Sequence, residues 1–466
     1  MTGTKADAEA RLLGRTINRR RLVQGAAVAG AAASTVFSAP AVIGQGKQPV
    51  VFWTTHTNIG WEALQKIAAD FNAQNDQYEV QAVQRPPADV ADSSSLITAV
   101  RGGEGPDVYL LDRFIVAERA ANGLLQDLTQ LMEDAGDNTD LTEQYVDFAA
   151  AEATYNGAPY ALPFDTDVRA LFYNRGLLQE AGVDLEPFDP ANGVMIWDDV
   201  KDIAMSLNKE EGGNFTQVGF VPYQPQGWLY TWGFSWGGEF FDYENCEVTP
   251  DNEKVVEAAQ WVYDYCAEHD PQKLYAFIQN AIRDGAPPTD NPFLQNRLGL
   301  MINGNWMFAQ FDQYAPDLDI GYTFIPVPSA DLESSTWAGG WSGVVPQGAK
   351  NPEGGYAFVR YLCGPEGSRT YVEMNKNLPV LRELLEAEDL FDENLRWFVD
   401  NLFPQTKYRP PLPVGAKYWT EQRSAWEAIY LNQADPATAL ATCKQNTQAD
   451  LDAGGYCPIA PPSEQA

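Results

Sequence analysis

Between residues 49 and 111 the hydrophobic period of this chain switches back and forth between two and about 3.6. Pro49-Val50-Val51-Phe52-Trp53 reads as a strand, and Trp61 to Phe71 reads as a helix with Trp61, Leu64, Ala68 and Phe71 on one face. Tyr78 to Val83 is a second strand, Ser95 to Val100 a second helix, and Asp107 to Leu111 a third strand entered through Gly105-Pro106. Strands that alternate with helices form βαβ units and a largely parallel sheet. Few other architectures tolerate this pattern.

In such sheets a ligand sits beyond the carboxyl ends of the strands. Three loops occupy that position: Thr54 to Asn58 after the first strand, Asp112-Arg113-Phe114 after the third, and Pro163 to Asp167 before the strand Ala170 to Asn174. A chain of 466 residues exceeds one simple core, so two globular units are expected. Further along, helices are expected over Trp197–Asn208 and Glu253–Cys266, and Gly299 to Trp306 reads as a strand entering a tight turn.

The first forty residues read as an address. Arg19-Arg20-Arg21 precedes a short Gly/Ala-rich run and then Ala39-Pro40-Ala41, an Ala-x-Ala cleavage pattern. This resembles a twin-arginine export leader over residues 1–41. The whole chain carries a formal charge of −33, and loss of that leader makes it more acidic still. Such a surface repels nucleic acid and anionic lipid, which excludes both as partners. The body of the chain contains no apolar run long enough to span a bilayer.

Five cysteines in an exported chain invite disulfides. The close pairs in sequence are Cys246 with Cys266 and Cys443 with Cys457, leaving Cys363 as a buried thiol. There is no CxxC, and His56 and His269 are the sole imidazoles, so no metal site and no cofactor is expected.

Several motifs occur in a telling order. They are Gly105 to Tyr109, Asn156-Gly157 with Pro159 to Pro163, Leu171 to Asn174, Gly299 to Trp306, and Trp337 to Val345. Together they resemble the extracellular solute-binding proteins of the maltose-binding-like group, which deliver sugars to ABC importers. The resemblance covers nearly the whole chain after the leader. It implies an α/β, bilobal periplasmic-binding-protein fold, with two mixed lobes joined by a three-segment hinge that closes on ligand. The crossings are expected near Pro163–Val168, Asn303–Asn305 and Cys363–Gly367. That gives residues 48–165 plus 304–363 for lobe one and 166–303 plus 364–466 for lobe two. The implied protein is a monomer in the periplasm or outside the cell, touching the membrane only by docking to permease subunits.

A neutral sugar presents apolar C–H faces and a rim of hydroxyls. Aromatic rings suit the first, and charged or amide acceptors suit the second. The expected ligand residues are His56, Asn58, Asp112, Asp165, Trp228, Trp232, Trp306 and Trp341. Trp228, Trp232 and Trp236 fall at steps of four along GWLYTWGFSWGGEFFD, on roughly one helical face. The first two are expected to meet ligand, and Trp236 with Phe240 and Phe241 to pack inside. Asp167 stands beside Asp165 as a second carboxylate, and Trp53 reads as core. Arg113, Arg169 and Arg409 are open between pairing an acidic sugar and surface ion pairs. Two other functions compete: a binding protein for a polyamine or other non-sugar solute, and a glycoside hydrolase using paired carboxylates.

Overall fold

A computed structural model of the chain describes residues 46–87, 93–283 and 285–461. The expected leader over 1–41 lies outside these residues. Among the described residues no helix is long and apolar enough to cross a membrane.

The alternation at the start of the chain builds three-fifths of one sheet. Strand β1 (Gln48–Thr54) is followed by helix α1 (Asn58–Gln74), strand β2 (Tyr78–Gln84) and strand β3 (Val108–Asp112). Both β2 and β3 run parallel to β1, one on either side. Val50 and Phe52 alternate inward from β1, while Ala63, Leu64, Ile67, Ala68 and Phe71 form the buried stripe of α1.

Short strands β4 (Leu162–Pro163) and β5 (Asp165–Thr166) lead into β6 (Arg169–Asn174), which is buried throughout. Then come β7 (Lys209–Glu211), β8 (Asn214–Phe220), helix α2 (Leu229–Ser235), β9 (Leu298–Gly304) and β10 (Ile320–Thr323). Strand β11 (Trp341–Val344), helix α3 (Pro365–Asn375) and strand β12 (Leu378–Pro379) complete the framework.

Two five-stranded sheets result, in the orders β2-β1-β3-β11-β4 and β10-β6-β9-β8-β7. The first is parallel across its opening three strands, and β11 then runs antiparallel to both β3 and β4. In the second sheet only β8 and β9 are parallel; β6 is antiparallel to β9 and β10, and β7 to β8. The expectation of a largely parallel sheet therefore needs correction beyond β3. A buried apolar run such as that of β6 does not reveal strand direction, which depends on where its connections lead.

The chain leaves the first sheet after β4 and joins the second at β6. Residues 304–323 were expected in the first lobe, but β10 pairs with β6, so the return falls between Thr323 and Trp341. Asn303–Asn305 is not a crossing. It lies against two of them instead, because Asn305 accepts from the Val168 N–H at 2.9 Å and donates to the Lys376 carbonyl at 2.6 Å. The third segment also comes later than expected. Helix α3 packs on α1, and the chain meets the first crossing only at β12. There Leu378 pairs with Thr166 and Pro379 with Asp165, while Asp167 pairs with Gly339 on the other side. The three connecting segments thus run side by side.

The cysteine pairing also differs from expectation. Cys246 is bonded to Cys457, 211 residues away, and Cys266, Cys363 and Cys443 are buried free thiols. Proximity in sequence misled here, because Cys266 is held inside the long helix Glu253–Glu268 and faces its core.

Candidate functional site

The loops that follow β1 and β3, the three crossings and the start of α2 converge on one cluster of rings and charges. Its organising residues are three buried arginines. Arg113 leaves the end of β3 and donates from Nε to Glu152 at 2.6 Å and from Nη2 to the Gly339 carbonyl at 2.7 Å. Its Nη1 reaches the Asp165 carbonyl at 2.5 Å. Gly340, at φ +132°, makes this approach possible: a β-carbon there would strike both the Asp165 carbonyl and the Arg113 guanidinium. Arg169 opens β6, pairs with Asp167, and donates to the Trp337 carbonyl at 3.0 Å and to Gln226 Oε1 at 3.2 Å. Burial draws its pKa down to about 10, against the pull of Asp167. Arg409 pairs with Asp112 at 2.7 Å and lies 3.8 Å from the Phe114 centroid.

Around these cations stand indoles that are only half-buried. Trp306 lies 5.5 Å from the Arg169 guanidinium carbon, and Trp419 lies 5.6 Å from that of Arg409. Trp228 closes the gap: its ring is 5.3 Å from Trp419, and its Nε1 donates to Gln226 Oε1 at 3.2 Å. Trp341 faces Asp112 across the β3/β11 ladder, and its ring packs 4.3 Å from that of His56 at a tilt of 59°. A cavity of about 200 Å³ opens here, lined by Asn58, Gln226, Asn303 and Trp306 among others. A larger one of about 1090 Å³ lies elsewhere, between the segment 131–145 and the helix Pro352–Leu362, and shares none of these groups.

Each expected ligand residue has a definite place. His56, Trp228, Trp306 and Trp341 are half-buried members of the cluster, and Asn58 stands exposed on the cavity wall. Asn58 opens α1 at φ +52°, a conformation that asparagine tolerates better than most residues. His56 Nδ1 meets Thr54 Oγ1 at 2.8 Å, whereas Nε2 is buried with no protein partner. Burial lowers its pKa to about 3, so the imidazole is neutral at ordinary pH.

Other expectations need correction. Trp232 is fully buried; its Nε1 donates to the Pro222 carbonyl at 2.8 Å and its ring lies 4.4 Å from Trp197. It is core, as are Trp236, Phe240 and Phe241. Helix α2 begins directly after Trp228, so one turn inward already passes beneath the surface. Asp165 is buried with both oxygens engaged, by the Trp341 N–H at 2.8 Å and the Asn377 amide at 2.6 Å. Asp112 is committed to Arg409. The arginines form buried ion pairs, not surface ones. Trp53, read as core, is half-buried beneath the Arg85 guanidinium at 4.2 Å.

Trp419, Gln226 and Trp337 were missed. Trp419 lies on the distant helix Gly415–Tyr430 and had no motif around it, while Gln226 carries no distinctive signal. Trp337 belongs to the motif Trp337 to Val345, but its service as a bed for Arg169 at 3.6 Å is a tertiary fact.

Comparison with known proteins places these features in context. A profile described as bacterial extracellular solute-binding protein matches residues 66–394. A maltotriose-binding protein of Pyrococcus abyssi is 22% identical over 399 residues, spanning 83% of this chain and 78% of its own. Among solved structures, CpMnBP1 with mannobiose bound superposes with a TM-score of 0.76 at 21% identity, covering 86% of this chain and 99% of that one. The GacH receptor of Streptomyces glaucescens, solved unliganded and with acarbose, gives 0.69 at 24% identity, covering 87% and 99%. The fold is thus the bilobal one of such binding proteins.

Proposed function

This chain belongs to the bacterial extracellular solute-binding proteins, and from that premise we propose that it is the non-catalytic receptor of an ABC importer. Its cargo is a neutral oligosaccharide held among Trp228, Trp306, Trp341 and Trp419, with Asn58, Gln226 and His56 at the hydroxyl rim. The carrying observation is the combination of half-buried indoles with cations that are already neutralised. Arg113, Arg169 and Arg409 each have a carboxylate partner within the protein, so they do not call for an acidic sugar. The same guanidinium groups disfavour an ammonium ligand, and Asp112, Asp165 and Asp167 already accept from donors inside the protein. Those commitments also argue against hydrolysis, which needs two available carboxyl groups flanking a glycosidic bond.

Micromolar affinity corresponds to about −8.2 kcal/mol. Hydrogen bonds contribute about 1 kcal/mol each and a ring face adds apolar burial, so a few of each meet that figure once association costs are offset. The relatives point to the same cargo, since those named above are described with maltotriose, mannobiose and acarbose. Export by the twin-arginine-like leader, a monomeric state and docking to permease subunits complete the proposal.

A thermal-shift screen tests it. Maltotriose, mannobiose, galacto-oligosaccharides and arabino-oligosaccharides, each at millimolar concentration, should include at least one that raises Tm, because ligand binds the folded state alone. No shift with any of them, together with a shift from spermidine or release of sugar product, would overturn the reading.

A further inference from the structure

Asp165 was expected to accept a ligand hydroxyl, yet every polar atom of its carboxyl group is already engaged inside the protein. Oδ1 accepts the main-chain N–H of Trp341 and Oδ2 the side-chain amide of Asn377. The residue sits on the first crossing, Asn377 precedes β12 on the third, and Trp341 opens β11 in the cleft wall. One carboxylate therefore ties two crossings to a ring of the proposed sugar platform. We propose that Asp165 is a positioning residue: it sets the presentation of Trp341 from the hinge, and the gain of one proton at its carboxyl group resets that presentation.

Two donors converge on this carboxyl group, so its ionised form fits both. A protonated form accepts more weakly at the oxygen that carries the proton, so the bond there loosens unless the Asn377 amide turns over to take the new O–H. Turning it over is opposed by a third contact, because Asn377 Oδ1 already accepts from Asn375 at 2.8 Å. The proton therefore belongs on Oδ1, and the bond that loosens is the one from the Trp341 N–H. Burial and the neighbouring Asp167 push the pKa of Asp165 up to about 7, which puts the proton's arrival in an accessible range.

Other charged and titratable groups face this carboxyl group. Asp167, on the same segment, is held by Arg169 and the Gly339 N–H. Arg113, from the loop after β3, rests on the Asp165 carbonyl. Tyr371 of α3 and Cys363, at the end of the helix Pro352–Leu362, are raised by burial and stay neutral near pH 7. His56, across the Trp341 ring, is held to about 3.

The test reads Trp341 directly and needs no ligand. Intrinsic fluorescence of the wild-type chain minus that of Trp341→Phe, titrated from pH 5 to 9, should show one step with a midpoint near 7. Asp165→Asn mimics the protonated carboxyl, so its difference signal should stay at the low-pH plateau throughout. Asn377→Ala removes a donor to the ionised form and should move the midpoint upward. The exchange Asp165→Asn with Asn377→Asp restores an acid–amide pair and should restore a step. A flat wild-type difference, or a step that survives Asp165→Asn, overturns the proposal. Circular dichroism identifies a variant that fails to fold, and Asn377→Ala then decides by the direction of its midpoint shift. The inference rests on the cleft reading only for its consequence. Calorimetric titration with mannobiose should give different affinities at pH 6 and pH 8 in the wild type and not in Asp165→Asn. Absence of any sugar binding would count against the cleft reading and leave the fluorescence result standing.

Discussion

The guanidinium carbon of Arg169 lies 3.6 Å from the centroid of the Trp337 ring, and Trp337 is itself fastened through Nε1 to Thr231 at 2.8 Å. A flat cation on a fixed indole, with its other hand on Asp167, forms a rigid floor. Arg169→Leu should leave Asp167 buried without its partner and cost about 3–5 kcal/mol, read by urea unfolding. Arg169→Lys keeps the charge but not the planar fork, so it should fold and bind sugar more weakly. Equal stability in Arg169→Leu would mean that the ion pair carries no weight.

The three tryptophans of GWLYTWGFSWGGEFFD should separate by phenotype. Trp232→Ala hollows the core and should cost about 3–5 kcal/mol. Trp228→Ala should leave stability nearly unchanged and weaken sugar binding about tenfold, equivalent to about 1.4 kcal/mol. Trp306→Ala and Trp341→Ala should follow Trp228→Ala. Paired urea melts and calorimetric titrations check this, and a Trp232→Ala that folds normally but fails to bind would reverse the assignment.

Two buried groups give stability opposite slopes with pH. The His56 pKa falls from 6.5 to about 3 on folding, so the unfolded chain binds its proton first. Its contribution is present above 6.5 and is lost as pH falls toward 3. Asp165 rises from 3.8 to about 7, so the folded chain holds that proton more tightly. Its contribution is present below 3.8 and is lost as pH rises to about 7. Tm profiles of His56→Gln and Asp165→Asn should therefore deviate from wild type in opposite directions: the first gains relative stability in acid, the second above neutrality.

The bond between Cys246 and Cys457 closes a loop spanning 211 residues. Cys246→Ser with Cys457→Ser should lower stability by about 2–4 kcal/mol and release the segment after Gly455 to proteolysis. Limited proteolysis with and without reductant measures it; identical digestion patterns would show that the bridge holds nothing in place.

The opening strands, helix α1 and the loops after β1 and β3 were legible because each follows from local periodicity and turn chemistry. Strand direction in the second sheet was not, since β6 and β10 carry no mark of their partner. The division between Trp228 and Trp232 depended on where α2 meets the surface, which spacing alone does not report. The place of Asp165 in a loop beyond the strand ends suggests a ligand acceptor, but Asn377, a partner that holds it, lies 212 residues away. The cysteines failed for the same reason: contacts that bridge two hundred residues leave no local trace.

The side-by-side arrangement of the three crossings constrains how the molecule can move. A single connecting strand would act as a swivel and allow the halves to twist about it. Three ribbons cross-tied at Asp165–Pro379, Thr166–Leu378 and Asp167–Gly339 resist torsion and yield mainly to bending about one line. The separation between Asn58 and Trp306 across the cavity then becomes a one-parameter gauge of opening. A spectroscopic ruler placed on those two sides should report a single mode of motion.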